Sequence, residues 1–309
     1  MLDRKIIKGH LFIAGAAIMW GLMAPLGKDA MSNGIGGFPM VGIRVLGGSA
    51  CFWLASFFSK YVLKKERAHG EALMNWRELL WLFGAGMFAI VFNQCNYIIG
   101  LSITSPLNAS IMTTTMPIIT MVMAAFVLKE PITWRKLTGV MLGCLGATTI
   151  ILASAGGTVG GVILGDIMCI GGQFSYSIYL TVFKKVIARH SPVTCQKWMM
   201  TSACLVIMPF CLPYLLRIDW AGLSAVTYYE TAFVVIGGTF MSFLLSTYAQ
   251  QILKPTIIAM YNYMQPIVAC TVSVLLGLGR LSVFHLIAIV LVFLGVYLAQ
   301  VGTSPSKRG

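Results

Sequence analysis

Residues 105–128 read SPLNASIMTTTMPIITMVMAAFVL and residues 254–278 read KPTIIAMYNYMQPIVACTVSVLLGL, and these two apolar stretches decide the fold. Each has a proline at its second position, Pro106 or Pro255, and another near its middle, Pro117 or Pro266. Pro106 and Pro255 are 149 residues apart, and so are Pro117 and Pro266. A constant offset of this kind indicates an internal duplication. Proline lacks an N–H and crowds the carbonyl one turn back, so each stretch is predicted to form a helix that breaks near its middle.

The composition is typical of a helical membrane protein. Hydrophobic residues make up 58% of the 309 residues and charged residues only 10%, whereas soluble domains carry about 25% charge. Apolar runs of about 20 residues, each long enough to cross a bilayer, follow one another along nearly the whole chain. We predict ten spans, at residues 9–30, 38–61, 76–101, 105–128, 134–154, 162–183, 193–216, 230–252, 255–278 and 282–302.

The basic residues predict the orientation of these spans. With the N-terminus in the cytoplasm, 18 of the 22 Lys and Arg residues fall on the cytoplasmic side and four on the other. Cytoplasmic loops carry such an excess, so both termini are predicted to be cytoplasmic. The net charge of +13 then anchors the inner ends of many helices to anionic lipid, and we expect membrane lipid as the partner of these charges and no nucleic acid.

The duplication divides the chain into two halves, residues 1–157 and 158–309, with five predicted helices in each. Arg44 corresponds to Lys197 at an offset of 153, and Trp20 corresponds to Tyr176 at an offset of 156. Because five is an odd number, the second half enters the membrane from the opposite side. The predicted fold class is therefore an all-α polytopic membrane protein with ten transmembrane helices, arranged as two inverted five-helix repeats.

Polar side chains inside the apolar spans indicate a binding site, since they are costly at membrane depth unless they face protein or water. Several share one helix face, as Asn93, Asn96 and Tyr97 do at i, i+3 and i+4. The alternative for each is structural, because polar side chains join neighbouring helices, aromatic rings lie at the interface and methionine fills cores. The candidate substrate-binding residues are Trp20, Asn93, Asn96, Tyr97, Asn108, Met112, Gln173, Tyr176, Tyr261, Asn262 and Gln265.

Charged residues bear on coupling and gating. Arg44 and Lys197 are interpreted either as gate charges or as anchors that reach for lipid head groups. No predicted span has an acid at its middle, which argues against proton-coupled cation export. No predicted span has a Lys/Arg pair at mid-depth that could hold a phosphate, which argues against a carrier of phosphorylated solutes. The turn after the fourth helix is predicted to be solvated; its charged residues are Lys129, Glu130, Arg135 and Lys136.

Several of these marks together resemble a known family. They are Trp20-Gly21, the proline-centred fourth helix, the run Leu128-Lys129-Glu130-Pro131-Ile132-Thr133, and the glycines Gly139, Gly143 and Gly146. The pattern resembles the EamA-type transporters of the drug/metabolite transporter superfamily over about residues 9–302. The resemblance implies ten helices in two inverted five-helix repeats, a central cavity and, typically, export of amino acids or related small molecules. One departure is that Gly279 stands at the second-repeat counterpart of Glu130.

The sequence therefore predicts a transporter of the bacterial inner membrane, an exporter of amino acids or related small metabolites that works by alternating access. Amides, hydroxyls and backbone groups freed at the helix breaks can hold a zwitterion without fixed counter-charges. An importer or facilitator of another small organic solute is the alternative, because the same machinery serves either direction.

Other function classes fit less well. An intramembrane enzyme is a remote alternative, because the four histidines have no nucleophile or carboxylate partner in the pattern. A non-transporting scaffold needs no corresponding helix breaks. The eight cysteines stand singly, so no metal site, disulfide or cofactor is expected. A small-molecule substrate and membrane lipid are the expected partners; a monomer is the simplest state, and the sequence leaves the oligomeric state open.

Overall fold

The computed structural model describes residues 4–61, 75–103, 112–154, 163–275 and 283–303, and every regular element within these ranges is helical. Five helices of the described ranges are long and apolar enough to cross a membrane. These agree with the predicted all-α membrane class, whereas the count of ten and the inversion of the repeats remain predictions. The five are Arg4–Gly27, Gly37–Ser59, Trp76–Tyr97, Pro192–Leu215 and Ala225–Ile252.

The helices are numbered here in chain order, and π-helical or 3₁₀ segments join several of them. The α-helices are α1 (Arg4–Ala30), α2 (Gly37–Tyr61), α3 (Trp76–Gly86), α4 (Asn93–Ile103), α5 (Met116–Leu128), α6 (Trp134–Ser154), α7 (Ile163–Val182), α8 (Lys184–Ile187), α9 (Pro192–Leu215), α10 (Ala225–Val235), α11 (Ser242–Ile252), α12 (Pro255–Met260), α13 (Met264–Leu275) and α14 (Val283–Thr303).

The chain forms two compact units, and each combines segments from both halves of the sequence. The first unit comprises Met1–Gln94 and Phe183–Gln251. In it α2 packs along α9, α1 packs against α10, and α3 packs against α9. The approach of α3 to α9 requires a glycine at position 86, because a Cβ there would lie 2.6 Å from the carbonyl oxygen of Met199.

Besides the π-helical segment Met31–Ile35, which joins α1 to α2, two π-helical segments interrupt the long helices of the first unit. Met87–Phe92 joins α3 to α4, and Ile236–Met241 joins α10 to α11. Both the first and the last residues of the two segments are 149 residues apart, the offset that separates the proline pairs. A π segment places an extra residue in one turn, so the side chains after it are rotated by about 100° from a regular α-helical register.

The second unit comprises Cys95–Val182 and Ile252–Gly309. Its largest helix contact joins α6 to α14, and α5 packs between α7 and α12. The crossing of α6 and α14 is close, since a Cβ on Gly139 would lie 2.5 Å from the Gly295 carbonyl oxygen. Small residues allow helix backbones to approach in this way within membranes, where van der Waals packing and hydrogen bonds hold helices together.

Both mid-stretch prolines lie in the first turn of a helix that follows an interruption. Residues 114–115 form a turn, and α5 begins at Met116 with Pro117 in its first turn. The 3₁₀ turn Tyr261–Tyr263 precedes α13, in which Pro266 is the third residue. Proline is tolerated there because the first-turn N–H groups have no intrahelical partner. Residues 105–111 and 276–278 of the two proline-bearing stretches lie outside the described residues.

The turn after α5 differs from its predicted solvated form. Lys136 is fully buried, and its Nζ donates to Glu130 Oε2 at 3.0 Å. Thr133 joins this turn to the end of α14, because its hydroxyl donates to the Gly302 carbonyl at 3.0 Å and accepts from the Lys136 backbone N–H. The prediction of solvation was wrong for Lys136, because the packing of α6 on α14 covers it.

Candidate functional site

Arg44 is held by neutral oxygens within the first unit. It is the eighth residue of α2, about 10 Å along the helix from Gly37. Its Nε donates to Thr239 Oγ1 at 3.1 Å, and its Nη1 donates to Gln94 Oε1 at 3.0 Å. We call these three residues the arginine cluster. Their hydrogen bonds join α2 to the segments that follow α3 and α10.

The two π segments place the acceptors of the arginine cluster. Thr239 lies inside Ile236–Met241, where its hydroxyl donates to the Val234 carbonyl at 2.8 Å, five residues back, and accepts from Arg44. Gln94 follows the end of Met87–Phe92 by two residues, and its Nε2 donates to Asn93 Oδ1 at 3.4 Å. Irregular turns of this kind are frequent at functional sites.

A small cavity of about 10 Å³, with room for one water molecule, lies beside the arginine cluster. Corresponding positions of the two sequence halves line it, since Ile90 and Thr239, and likewise Gln94 and Phe243, are 149 residues apart. Trp20 packs edge-on against Phe243 with ring centroids 5.8 Å apart, so this predicted site residue supports one wall. The full lining is Val41, Arg44, Val45, Ile90, Gln94, Met200, Thr239 and Phe243.

Lys197, the sequence counterpart of Arg44, is buried on α9. Its Nζ donates to Ser56 Oγ at 3.0 Å and lies 4.8 Å from the ring centroid of Trp53 and 5.6 Å from that of Trp198. A cation over an indole face is attracted by the ring quadrupole. Both predicted gate charges are therefore held by side chains of the first unit, on the helix pair α2 and α9.

In the second unit the two interrupted stretches meet. Asn262, in the 3₁₀ turn before α13, directs its Nδ2 to Met116 Sδ at 3.0 Å, at the start of α5. Gln265 Nε2 donates to Asn262 Oδ1. We call Met116, Asn262 and Gln265 the break cluster. The sequence predicted both amides as site residues, and the structure brings them together beside Pro117 and Pro266.

The other predicted site residues of the second unit lie on α4, α5, α7 and the 3₁₀ turn. Asn96 Oδ1 faces Gly171 of α7, and Tyr97 follows it on α4. On α7, Gln173 and Tyr176 are buried, and the Tyr176 ring packs against Tyr179 with centroids 5.3 Å apart. Tyr261, in the 3₁₀ turn, is also buried. Met112 lies before α5, and its backbone carbonyl accepts a hydrogen bond from the Thr115 hydroxyl. Asn108 lies outside the described residues.

Sequence reasoning missed several polar residues that the structure places inside the first unit. Gln94 and Thr239 bind Arg44, although the predicted face of the third helix contained Asn93 and Asn96 instead. Gln196 Nε2, which donates to Thr247 Oγ1 at 2.6 Å, was missed as well. The signal available in the sequence was Gln94 itself, a polar residue next to Asn93 in an apolar run.

The described ranges hold no group of three or more His, Cys, Asp or Glu residues placed to bind a metal ion. Seven cysteines of these ranges are free thiols. The side chains that the structure brings together in the arginine cluster and the break cluster are amides, a hydroxyl, a thioether and a guanidinium, which can bind a solute noncovalently.

Comparison with known proteins identifies the family. The model of the EamA-like transporter family matches twice in succession, over residues 7–152 and 163–300. An uncharacterized transporter of Archaeoglobus fulgidus is 25% identical over 171 residues, which cover 55% of this chain and 59% of that protein, less than two thirds of its length. The uncharacterized transporter YyaM of Bacillus subtilis is 19% identical over 217 residues, which cover 70% and 71% of the two chains.

A solved structure named "Crystal structure of protein" is among those that share the fold. It matches with a TM-score of 0.76 and 18% sequence identity, over 96% of this chain and 97% of the other. The family resemblance predicted from the tryptophan, the proline-centred helix and the glycine pattern is confirmed, because the family model covers nearly the whole chain in two matches. This chain belongs to the EamA-like transporter family.

Proposed function

We propose that this chain is an integral transporter of the bacterial inner membrane that exports amino acids or related small metabolites by alternating access. The observation that carries the proposal is the break cluster, in which two interrupted helical stretches at corresponding sequence positions meet through amide side chains. Paired helix interruptions in the two halves of a chain are the strongest sequence pointer to a transporter's binding site.

An internal repeat supports the alternating-access part of the proposal. The family model matches each half once, and the offset of 149 residues relates the prolines, the π segments and two pairs of cavity residues. We propose that the halves are five-helix repeats of opposite orientation, with both chain ends in the cytoplasm. In such a protein, repeats of opposite orientation provide equivalent gates on the two sides of the membrane.

The chemistry of the break cluster suits a small polar solute. Asn262 uses an amide N–H on Met116 Sδ, and a thioether is a weak acceptor. A carboxylate, hydroxyl or carbonyl oxygen of a solute is a stronger acceptor and would replace the sulfur. Backbone groups freed at the helix interruptions add donors and acceptors, and Tyr261 next to the cluster adds apolar surface.

Transport in liposomes tests the proposal. Purified protein is reconstituted with a mixture of labelled amino acids, and uptake against unlabelled internal solute is measured alongside efflux. We expect movement of at least one amino acid in the wild type. Asn96→Ala and Gln265→Ala should each lower the flux about tenfold, because a lost hydrogen bond to a charged group costs about 1.5–3 kcal/mol.

The matched control is Asn75→Ala, because Asn75 is exposed before α3 and makes no side-chain cap bond. It should leave flux unchanged. Size-exclusion profiles check that every variant is folded. No amino-acid flux in either direction would contradict the proposed function, whereas normal flux in both Asn96→Ala and Gln265→Ala would contradict the site alone.

A further inference from the structure

Arg44 carries a positive charge inside a membrane-spanning helix without an acidic partner among the described residues. Arg44 belongs to none of the ion pairs found among those residues, which include Lys136 with Glu130 and Arg189 with Glu78. Arg44 instead donates to an amide oxygen and a hydroxyl, both neutral. Holding an unbalanced cation in an apolar setting costs free energy, and intramembrane charges mark functional sites for that reason.

The guanidinium of Arg44 keeps unused donors. Arginine has five N–H groups in a planar fork, and one Nε–H and one Nη1–H are taken by Thr239 and Gln94. Three N–H groups have no partner within the described part of the chain. A planar anion can accept two of them at once, and this bidentate arrangement is the strong form of an arginine hydrogen bond.

The cavity beside Arg44 is otherwise lined by apolar side chains. Five of its eight lining residues are Val41, Val45, Ile90, Met200 and Phe243, and its polar members belong to the arginine cluster. Such a wall lowers the local dielectric, so attraction between Arg44 and an anion is stronger there than in water. The arginine cluster thus combines a positive charge, N–H donors of Arg44 and an apolar cavity lining at one place.

The charge of the site selects the class of anion. The second internal cation of the helix pair, Lys197, binds Ser56, which lies twelve residues or about 18 Å further along α2. Arg44 therefore acts as a single positive charge, which balances a monovalent anion and not a phosphate dianion. A carboxylate is monovalent, planar and small, and it matches the guanidinium fork.

We propose that the arginine cluster is a carboxylate site, in which Arg44 pairs with a carboxylate while Gln94 and Thr239 hold the guanidinium in place. Its assignment to the carboxylate of the transported solute rests on the proposed function. The transporter would then prefer amino acids and other monocarboxylic solutes to amines of the same size. This site supplies a fixed counter-charge, whereas the sequence alone predicts a zwitterion held without one.

Thermal unfolding of the full chain in detergent, with formate as the probe, tests the site. Formate is the smallest carboxylate, so it demands the least widening of the cavity beside Arg44, which has room for one water molecule. At about 100 mM, sodium formate should raise the Tm of the wild type by about 2 °C or more above an equal concentration of sodium chloride. Formamide, its neutral isostere, should give no such rise.

Gln94→Glu is the decisive variant, because it changes shape little and places a carboxylate of the chain itself on Arg44 Nη1. The formate-specific rise should disappear in Gln94→Glu and in Arg44→Gln. The matched control is Asn75→Asp, which changes the net charge by the same amount at an exposed position and should keep the full rise. If Arg44→Gln does not fold, the Tm measurement on Gln94→Glu still tests the site.

Three results would overturn the carboxylate site. They are equal effects of formate and chloride on the wild type, an equal effect of formamide, and a formate-specific rise that survives in Gln94→Glu. Since the readout is equilibrium unfolding, a formate-specific rise without amino-acid flux contradicts the proposed function alone. Amino-acid flux without that rise contradicts the carboxylate site alone.

Discussion

Three internal basic side chains, Arg44, Lys136 and Lys197, meet the cost of burial in different ways. Lys136 pairs with Glu130 at 3.0 Å, whereas Lys197 binds Ser56 and lies over the ring of Trp53. Within the described ranges, Arg44 donates to neutral acceptors only. An ion pair and a cation–π contact both compensate a charge inside the protein, while neutral acceptors leave Arg44 able to attract an anion.

The ion pair between Lys136 and Glu130 provides a stability prediction. The two side chains are 1% and 10% exposed, so Glu130→Gln leaves an uncompensated cation in a buried place. We expect Glu130→Gln to cost about 3 kcal/mol, as the breaking of buried pairs does, and to lower the Tm by several degrees. Thermal unfolding in detergent measures it.

The exposed pair of Arg189 and Glu78, at 3.9 Å, is the matched control. Arg189 is 68% exposed, and Arg189→Gln should change the stability by less than about 1 kcal/mol because water screens the pair. Equal effects of Glu130→Gln and Arg189→Gln would show that the pair on Lys136 is not buried in solution.

At the scale of elements, irregular helical turns position the polar side chains, and glycine residues allow close contacts between helices. The π segments Met87–Phe92 and Ile236–Met241 present Gln94 and Thr239 to Arg44, while glycine allows α6 and α14 to touch through their backbones. The π segments and the glycine contact each depend on a particular neighbouring helix. A regular helix with the same hydropathy would cross the membrane equally well and would not make these contacts.

The crossing of α6 and α14 is sensitive to a single methyl group. Gly139→Ala puts a Cβ 2.5 Å from the Gly295 carbonyl oxygen, and backbone on both sides must move. We expect a loss of about 1–3 kcal/mol, the usual cost of overpacking, seen as a lower Tm and a smaller folded fraction after purification.

Gly27→Ala is the control for this crossing. A Cβ at position 27 would lie 3.5 Å from Val234 Cγ2, an ordinary contact distance. Alanine also favours a helix interior by about 1 kcal/mol over glycine, so this variant should be as stable as the wild type or more so. A tolerated Gly139→Ala would mean that α6 and α14 are further apart in the membrane.

At the scale of the whole molecule, the two successive family matches show a transporter of two related halves. The family model matches residues 7–152 and 163–300, and the two matches are separated by ten residues. Most of the basic residues are predicted on one side of the membrane, and this asymmetry predicts the orientation of both halves. An orientation of this kind is a property of the complete chain and cannot be read from any single helix.

Reporter fusions test that orientation. With both chain ends in the cytoplasm, alkaline phosphatase fused after Gly222, between α9 and α10, should be active because it is exported. The same reporter fused after Arg189, between α8 and α9, should be inactive, and green fluorescent protein fused to the C-terminus should fluoresce. The opposite pattern at the two phosphatase fusions would contradict the predicted topology.

Much of the element structure follows from short-range information in the sequence. Apolar length predicts membrane helices, because the bilayer forces backbone groups to bond within a segment, and Pro117 and Pro266 predict interruptions through their own geometry. The two amides of the break cluster could be predicted for the same reason, since Asn262 and Gln265 lie within four residues of Pro266.

The sequence by itself therefore determined the helical membrane class, the duplication, the family and the amides of the break cluster. Tertiary structure alone decided the partners of Arg44, which lie 50 and 195 residues away, and the burial of Lys136. The physical reason is register. A π segment rotates every later side chain by about 100°, and only the packed neighbours decide whether that extra residue is accommodated.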